Sequence, residues 1–169
     1  MELAARILQV DHAGENGAIW IYSGQIWLAR LTAPHLLPEL RAFREDEKRH
    51  RALFAAELAR RGVRRCRSYL LCGLGGMVLG VLTGLCGARA ISTTTVAVER
   101  VVLQHLQQQL AWLAGRDAAA HATVADIVAE EQHHHDDAAT SAGQGRLARW
   151  LASVVSGATE TVIGVGMRV

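Results

Sequence analysis

The chain has 169 residues, of which half are hydrophobic and only 5% are aromatic, and its formal net charge is +2. This length suits one domain with a sizeable core, so we interpret residues 1–169 as a single domain. A charge this close to zero gives no support for nucleic acid as a partner, and we expect none. The apolar residues are mostly Ala, Leu and Val and only two prolines occur, which favours an all-α fold.

The cysteine content argues against a cross-linked or zinc-stabilised protein. The three cysteines are Cys66, Cys72 and Cys86, an odd number without a Cys-x-x-Cys pair. We therefore expect a reducing compartment. The first ten residues lack the long apolar stretch of a signal peptide, which favours a bacterial chain that is not exported.

Hydrophobic periodicity and helix-ending residues place the helices along the chain. Pro34 and Pro38 separate the first two helices, and Gly62 and Gly115 end the second and the third. Asp117 is the predicted N-cap of the fourth. Five helices are predicted in this way, over residues 3–31, 39–61, 94–114, 117–141 and 147–165.

The segment 68–88 contains no charged residue and is bracketed by Arg67 and Arg89. Its length would allow it to span a bilayer. However, it contains six glycines, which are common where helices pack closely, and a span would put the polar helices on opposite sides of the membrane. We therefore expect a buried or membrane-dipping hairpin.

Two Glu-x-x-His motifs carry the chemical signal, one from Glu47 to His50 and the other from Glu131 to His134. Residues three apart share one face of a helix, so each motif directs a carboxylate and an imidazole to the same point. Glu130 and His133 form an alternative second motif. We prefer Glu131 and His134 because of the spacing described next, and we expect His133 and His135 to be exposed.

Two further acids, Glu15 and Glu99, lie among apolar or small residues. Glu15 precedes Glu47 by 32 residues and Glu99 precedes Glu131 by 32 residues, so the chain resembles two helical hairpins of one plan. Ferritin-like di-iron proteins use this ligand set, in which two helices give one Glu each and two give Glu-x-x-His. Four carboxylates can cancel the charge of two ferrous ions, although the same ligands suit manganese.

The motifs also resemble one family within that class, the demethoxyubiquinone hydroxylases of ubiquinone biosynthesis. The resemblance covers almost the whole chain, with Leu106 where the family has Tyr and Ala158 where Cys is usual. The stretches that carry it are residues 11–15 and 21–25, the first Glu-x-x-His at 47–50, residues 95–99 with His105 and the Gln-Leu pair at 109–110, and the closing run at 130–136.

The resemblance implies a ferritin-like four-helix bundle with additional apolar and amphipathic helices for membrane contact. It implies a monooxygenase that uses dioxygen to hydroxylate the ring of a polyprenylated methoxy-methyl-benzoquinol, the penultimate step of ubiquinone biosynthesis. Electrons would come from NADH or from the quinol itself. Its metal ligands for two iron ions would be Glu15, Glu47, His50, Glu99, Glu131 and His134.

The resemblance further implies a peripheral enzyme on the cytoplasmic side of the bacterial membrane, in complexes with other ubiquinone-biosynthesis proteins. A homo-oligomer is a further expectation. The segment 68–88 and the last helix are the candidate membrane contacts. In that helix, an apolar stripe containing Trp150 and Val154 lies beside Arg146 and Arg149, which suits a membrane interface but equally a core or dimer face.

Two residues are candidate catalytic groups. Tyr22 lies two turns beyond Glu15 on the same helix face and would line the pocket or donate a hydrogen bond to bound oxygen. His105 would relay protons. A core Tyr with a satisfied hydroxyl and a structural His are the alternatives. The rival function is a ferritin-like ferroxidase, which shares the ligands but does not need the apolar segment; a transfer-RNA hydroxylase and a metal-binding scaffold are less well supported.

Overall fold

Within residues 3–168, which the structure describes, the chain forms six α-helices, one short 3₁₀-helix and no strand. The structure is a computed structural model. Met1, Glu2 and Val169, at the ends of the predicted domain, lie outside the described residues. The all-α prediction is confirmed. The elements are α1 (Leu3–Thr32), the 3₁₀-helix (Pro34–Leu36), α2 (Leu37–Arg60), α3 (Tyr69–Leu85), α4 (Ala88–Leu113), α5 (Ala118–Ser141) and α6 (Arg146–Gly166).

Four of the five predicted helices begin and end within two residues of the prediction. The predicted N-cap of α5 is confirmed, since the Asp117 carboxylate accepts a hydrogen bond from the backbone N–H of Ala120 at 3.0 Å. The exception is α4, which begins at Ala88 rather than at residue 94. Gly87 adopts a φ of 86°, which is open to glycine, and turns the chain directly from α3 into α4.

The hairpin expected over residues 68–88 is wrong, because most of this segment is the single helix α3. Gly73, Gly76, Gly80 and Gly84 follow one another at intervals of three or four residues, so they line one face that packs on α1. A Cβ at Gly76 would overlap the carbonyl oxygen of Gly17. The close packing predicted from the glycines is therefore present, but between the two helices α1 and α3.

The helices pair in two groups of three. In the first group, α1 packs against α2 and α3, and in the second, α4 packs against α5 and α6. Contacts of α2 with α5 and of α1 with α4 join the groups, so α1, α2, α4 and α5 form a four-helix bundle. Helices α3 and α6 lie outside this bundle, on α1 and α4. This confirms the expected bundle with two additional helices.

Two apolar clusters fill the bundle, one on each side of the middle of the helices. Leu8, Phe54 and Leu106 belong to the first cluster, whereas Ile26 and Phe43 belong to the second. Along their helices, Glu15, Glu47 and Glu99 lie between members of the two clusters, and Glu131 follows Ile127 of the first cluster. The charged residues are therefore held in the interior by packing above and below them.

The outer face of α3 is strongly apolar. Leu70, Leu71, Leu74, Leu82 and Leu85 are each more than half exposed. Helix α6 carries a similar exposed stripe of Leu147, Trp150, Val154, Val162 and Val165. None of the helices within residues 3–168 is both long and apolar enough to cross a membrane.

Candidate metal centre

The structure brings all six predicted ligands together in the interior of the bundle. Two groups can each hold a cation, with candidate ligand atoms that lie within 4.8 Å of one another. The first group is Glu15, Glu47, His50 and Glu131, and the second is Glu47, Glu99, Glu131 and His134. Glu47 and Glu131 belong to both groups. The arrangement therefore suits two cations, and Glu47 and Glu131 would be within reach of both.

Both imidazole rings direct Nδ1 into the cluster. His50 Nδ1 lies 2.9 Å from Glu131 Oε1 and 3.7 Å from Glu15 Oε2. His134 Nδ1 lies 3.5 Å from Glu47 Oε1. Each ring therefore approaches a carboxylate from the opposite hairpin, so the geometry of the cluster depends on the packing of α2 against α5.

The chemistry of the cluster fits divalent cations. The two Nδ1 atoms, Glu47 Oε1 and both carboxylate oxygens of Glu131 are buried and make no hydrogen bond of acceptable angle, even where His50 Nδ1 and Glu131 Oε1 approach to 2.9 Å. Burial, and then repulsion by neighbouring carboxylates, raises the pKa of Glu15 and Glu99 well above the usual range of Glu. Four ionised carboxylates would put too much negative charge into this interior, and two divalent ions could neutralise it in place of protons.

Tyr22 is buried, and its hydroxyl donates a hydrogen bond to Glu99 Oε1 at 3.0 Å. Burial, and then the Glu99 carboxylate, raises the pKa of Tyr22. The hydroxyl is thus satisfied by a cluster glutamate. Tyr22 therefore holds the Glu99 carboxylate in place.

An apolar cavity of about 300 Å³ lies between α1, α3, α4 and α6. Its lining includes all four cluster glutamates, together with His105 and Leu106. The walls also include Gly75 on α3 and Ala158 on α6, which are exposed, so the cavity reaches the surface between these two helices. Both departures from the family pattern, Leu106 and Ala158, therefore lie at this cavity.

His105 lies in the cavity wall, and its imidazole forms a hydrogen bond with Glu160 of helix α6. Its Nε2 is 2.8 Å from Glu160 Oε2, and 27% of its side chain is exposed. The pair His105–Glu160 therefore connects the cavity with solvent. That geometry suits a proton path as well as a structural contact between α4 and α6.

The other histidines of the second motif lie outside the cluster. His133 is exposed, as expected, and pairs with Asp137. His135 is half-buried rather than exposed, and its Nδ1 is 3.0 Å from Asp136. Glu130 is 41% exposed and contacts His50 from outside, whereas Glu131 is buried in the cluster. The geometry thus favours Glu131 over Glu130 as a ligand.

Sequence reasoning missed Asp11, which lies one helical turn before Glu15 and lines the cavity. Gln109 Nε2 donates to Asp11 Oδ1 at 2.9 Å, whereas Oδ2 is sealed from solvent without a partner. Burial raises the pKa of Asp11 to about 7. The signal in the sequence was its spacing of four from Glu15, which puts both acids on one helix face.

The substitution Asp11→Asn tests this burial through the pH dependence of stability. The folded protein keeps the Asp11 proton up to about pH 7, whereas the unfolded chain releases it near 3.8, so this group lowers the free energy of unfolding as pH rises between these values. Asn cannot ionise. We therefore expect the free energy of unfolding of Asp11→Asn, relative to that of the wild type, to increase by about 2 kcal/mol from pH 5.5 to 8.5. Urea unfolding of the metal-free protein measures this difference. Asp126→Asn, at an exposed aspartate on α5, is the matched control. If Asp11→Asn differed from the wild type by the same free energy at every pH, the assignment would be contradicted.

A four-helix bundle that directs Glu, Glu-x-x-His, Glu and Glu-x-x-His into one buried cluster defines the ferritin-like class. Within that class, the chain belongs to the family described as "Ubiquinone biosynthesis protein COQ7", whose model matches residues 2–166. This confirms the resemblance to demethoxyubiquinone hydroxylases that the sequence motifs carry.

Three curated relatives agree with the family. The chain is 38% identical over 109 residues to a mitochondrial NADPH-dependent 3-demethoxyubiquinone 3-hydroxylase of Dictyostelium discoideum, covering 64% of this chain and 49% of that protein. It is 36% identical over 108 residues to a 3-demethoxyubiquinol 3-hydroxylase of Rhodospirillum rubrum, covering 63% and 50%. It is 35% identical over 111 residues to a mitochondrial 5-demethoxyubiquinone hydroxylase of Saccharomyces cerevisiae, covering 66% and 48%. The chain spans about half the length of these relatives.

Proposed function

We propose that the protein is a di-iron monooxygenase that uses dioxygen to hydroxylate the ring of a polyprenylated methoxy-methyl-benzoquinol in ubiquinone biosynthesis. The observation that carries this proposal is the continuity between the carboxylate cluster and the apolar cavity. A ferroxidase needs a path for hydrated ions, which are poorly accommodated by apolar walls. An apolar ring with a hydrocarbon tail suits such walls.

The cavity offers a quinol both an apolar wall and a few polar groups. Leu71, Leu79 and Val98 would pack against the ring and the first part of the tail. Besides the cluster itself, Asp11, His105 and Thr159 are polar side chains available for ring oxygens. The tail would leave through the opening between Gly75 and Ala158. The substrate would thus lie with its ring towards the cluster.

In this proposal the six cluster residues would hold two iron ions, with Glu47 and Glu131 available to both. When bound, the iron pair supplies the redox chemistry through which dioxygen reacts with the ring. The protein residues have separate tasks. Tyr22 fixes the Glu99 carboxylate, the apolar walls exclude water, and the pair His105–Glu160 moves protons between the cavity and solvent.

We also propose a reduced nicotinamide as the electron donor, because relatives are named NADPH-dependent. The sequence-based expectation was NADH or the quinol itself, and an assay with each donor distinguishes the three. We also propose that the protein binds other ubiquinone-biosynthesis proteins and a second copy of itself. The proposed location is the cytoplasmic face of a bacterial membrane.

The apolar outer faces of α3 and α6 support binding to a lipid surface. The cavity opens between these two helices, so a polyprenyl tail could pass from lipid into the cavity without crossing water. Exposed arginines lie at both ends of this surface, with Arg65 and Arg67 before α3 and Arg146 and Arg149 in α6. Guanidinium groups in these positions suit the phosphates of lipid head groups.

We expect the double variant Leu74→Gln, Leu82→Gln to bind lipid vesicles at least about tenfold more weakly than the wild type, because two exposed apolar side chains are lost from the contact. Co-sedimentation with phosphatidylcholine vesicles, with and without phosphatidylglycerol, measures this. Neither residue lines the cavity. The control Leu53→Gln changes an exposed leucine on α2 and should bind normally; equal binding by both variants would contradict the proposed surface.

The function itself is tested with anaerobically purified protein loaded with ferrous iron and a short-tailed demethoxyquinol. We expect about two irons per chain and, after addition of dioxygen, hydroxylated quinol identified by mass spectrometry. Use of ¹⁸O₂ should put the label in the product. Iron that turns over to a ferric mineral, whether or not quinol is present, would instead support the ferroxidase.

A further inference from the structure

Each cluster histidine contacts a second carboxylate on the side facing away from the cluster. His50 Nε2 lies 2.6 Å from Glu130 Oε2, and His134 Nε2 lies 3.1 Å from Asp46 Oδ2. Glu130 directly precedes Glu131 on α5, and Asp46 directly precedes Glu47 on α2. The contacts therefore cross between the hairpins, because α5 serves the histidine of α2 and α2 serves the histidine of α5.

The crossed contacts determine which ring nitrogen is free to bind a cation. A neutral imidazole has one N–H donor and one acceptor nitrogen. A carboxylate at Nε2 holds the proton there, which leaves the Nδ1 lone pair directed into the cluster. Both rings are buried, whereas Asp46 and Glu130 are partly exposed at the surface of the bundle. The carboxylates therefore act from outside the centre.

One arginine joins the two crossed contacts. Arg49 Nη1 lies 2.8 Å from Asp46 Oδ1, and Nη2 of the same side chain contacts Glu130 Oε2. Arg49 is two residues after Glu47, and the matching position in the second hairpin is His133, which is exposed and pairs with Asp137. Arg49 of the first hairpin therefore contacts both carboxylates, and no arginine stands at the matching position of the second hairpin.

We propose that Asp46 and Glu130 are positioning residues that orient His134 and His50 for metal binding, and that Arg49 holds both carboxylates in place. This inference rests on the metal centre of the proposed function. Loss of Glu130 should weaken mainly the group that contains His50, and loss of Asp46 mainly the group that contains His134. Loss of Arg49 should weaken both.

The test is an anaerobic titration with ferrous iron of the wild type and of Asp46→Asn, Glu130→Gln and Arg49→Gln. We expect each carboxylate variant to bind one of its two ions about 10- to 100-fold more weakly, and Arg49→Gln to bind both more weakly. Mössbauer spectra of ⁵⁷Fe-loaded protein should show one changed iron in each carboxylate variant and two in Arg49→Gln. A merely structural role would not produce this division.

The control is Asp137→Asn, which removes a carboxylate paired with a histidine at the same distance of 3.1 Å but outside the cluster. Circular dichroism of the metal-free variants checks that each one folds. Affinities and spectra equal to those of Asp137→Asn would overturn the proposal. A wild type that takes up no metal would overturn it together with the metal centre. The titration contains no quinol, so its result holds whether or not the protein hydroxylates the ring.

Discussion

Replacing Glu131 by Gln is expected to prevent loading of both candidate metal positions and to lower the proposed quinol hydroxylation by at least about a hundredfold. Glu131 belongs to both candidate ligand groups, and neither of its carboxylate oxygens makes a hydrogen bond of acceptable angle. An amide in its place carries no charge and offers one acceptor instead of two. The measurements are iron content after anaerobic reconstitution and product formed per chain.

Two further variants make this prediction specific. Glu15→Gln removes a ligand of one group only, so we expect it to retain about one tightly bound iron per chain. Glu45→Gln removes an exposed glutamate that pairs with Lys48 and should load two irons. If Glu131→Gln loaded two irons with wild-type affinity, the sharing of this residue between the groups would be wrong.

The largest expected loss of stability comes from Gly80→Ala. A Cβ at this position would overlap the backbone carbonyl of Ile21, and backbone cannot move aside as a flexible side chain does. Helices α1 and α3 would have to separate, at a cost of roughly 2–4 kcal/mol in the free energy of unfolding. Urea unfolding measured by circular dichroism would show the change.

Gly75→Ala is the matched control in the same helix, because a Cβ there meets no atom within 4 Å. Ala favours helix over Gly by roughly 1 kcal/mol, so this variant should be slightly more stable than the wild type. The two substitutions add the same methyl group and should change stability in opposite directions. A similar effect from both would mean that α3 does not pack on α1 through its glycines.

The sequence was most informative where local geometry determines the outcome. Spacing of three within a helix placed Glu47 beside His50, and the repeat of 32 residues favoured Glu131 over its neighbour Glu130. Helix ends were predictable where a cap or a glycine marks them, as at Asp117. These features depend on neighbours within one or two helical turns, which the sequence displays directly.

Contacts between helices were not predictable in the same way. The glycines of α3 indicated close packing but not which helix they pack against. A single helix that packs on α1 was therefore mistaken for a hairpin. Neither Asp46 nor Glu130 gave a signal of a contact with a cluster histidine, since an acid beside a Glu-x-x-His motif is usually solvated. Their role depends on the crossing of α2 and α5, and that crossing is a property of the folded bundle.

The sharing of Glu47 and Glu131 has a thermodynamic consequence for any cations that the cluster binds. An ion in one group fixes two of the four ligands of the other group and thereby reduces the conformational entropy still to be lost there. The two positions are consequently linked equilibria, in which occupancy of either changes the affinity of the other by the same factor. Ligand flexibility favours positive cooperativity, while repulsion between the ions opposes it, so the shape of the binding isotherm reports the balance of the two.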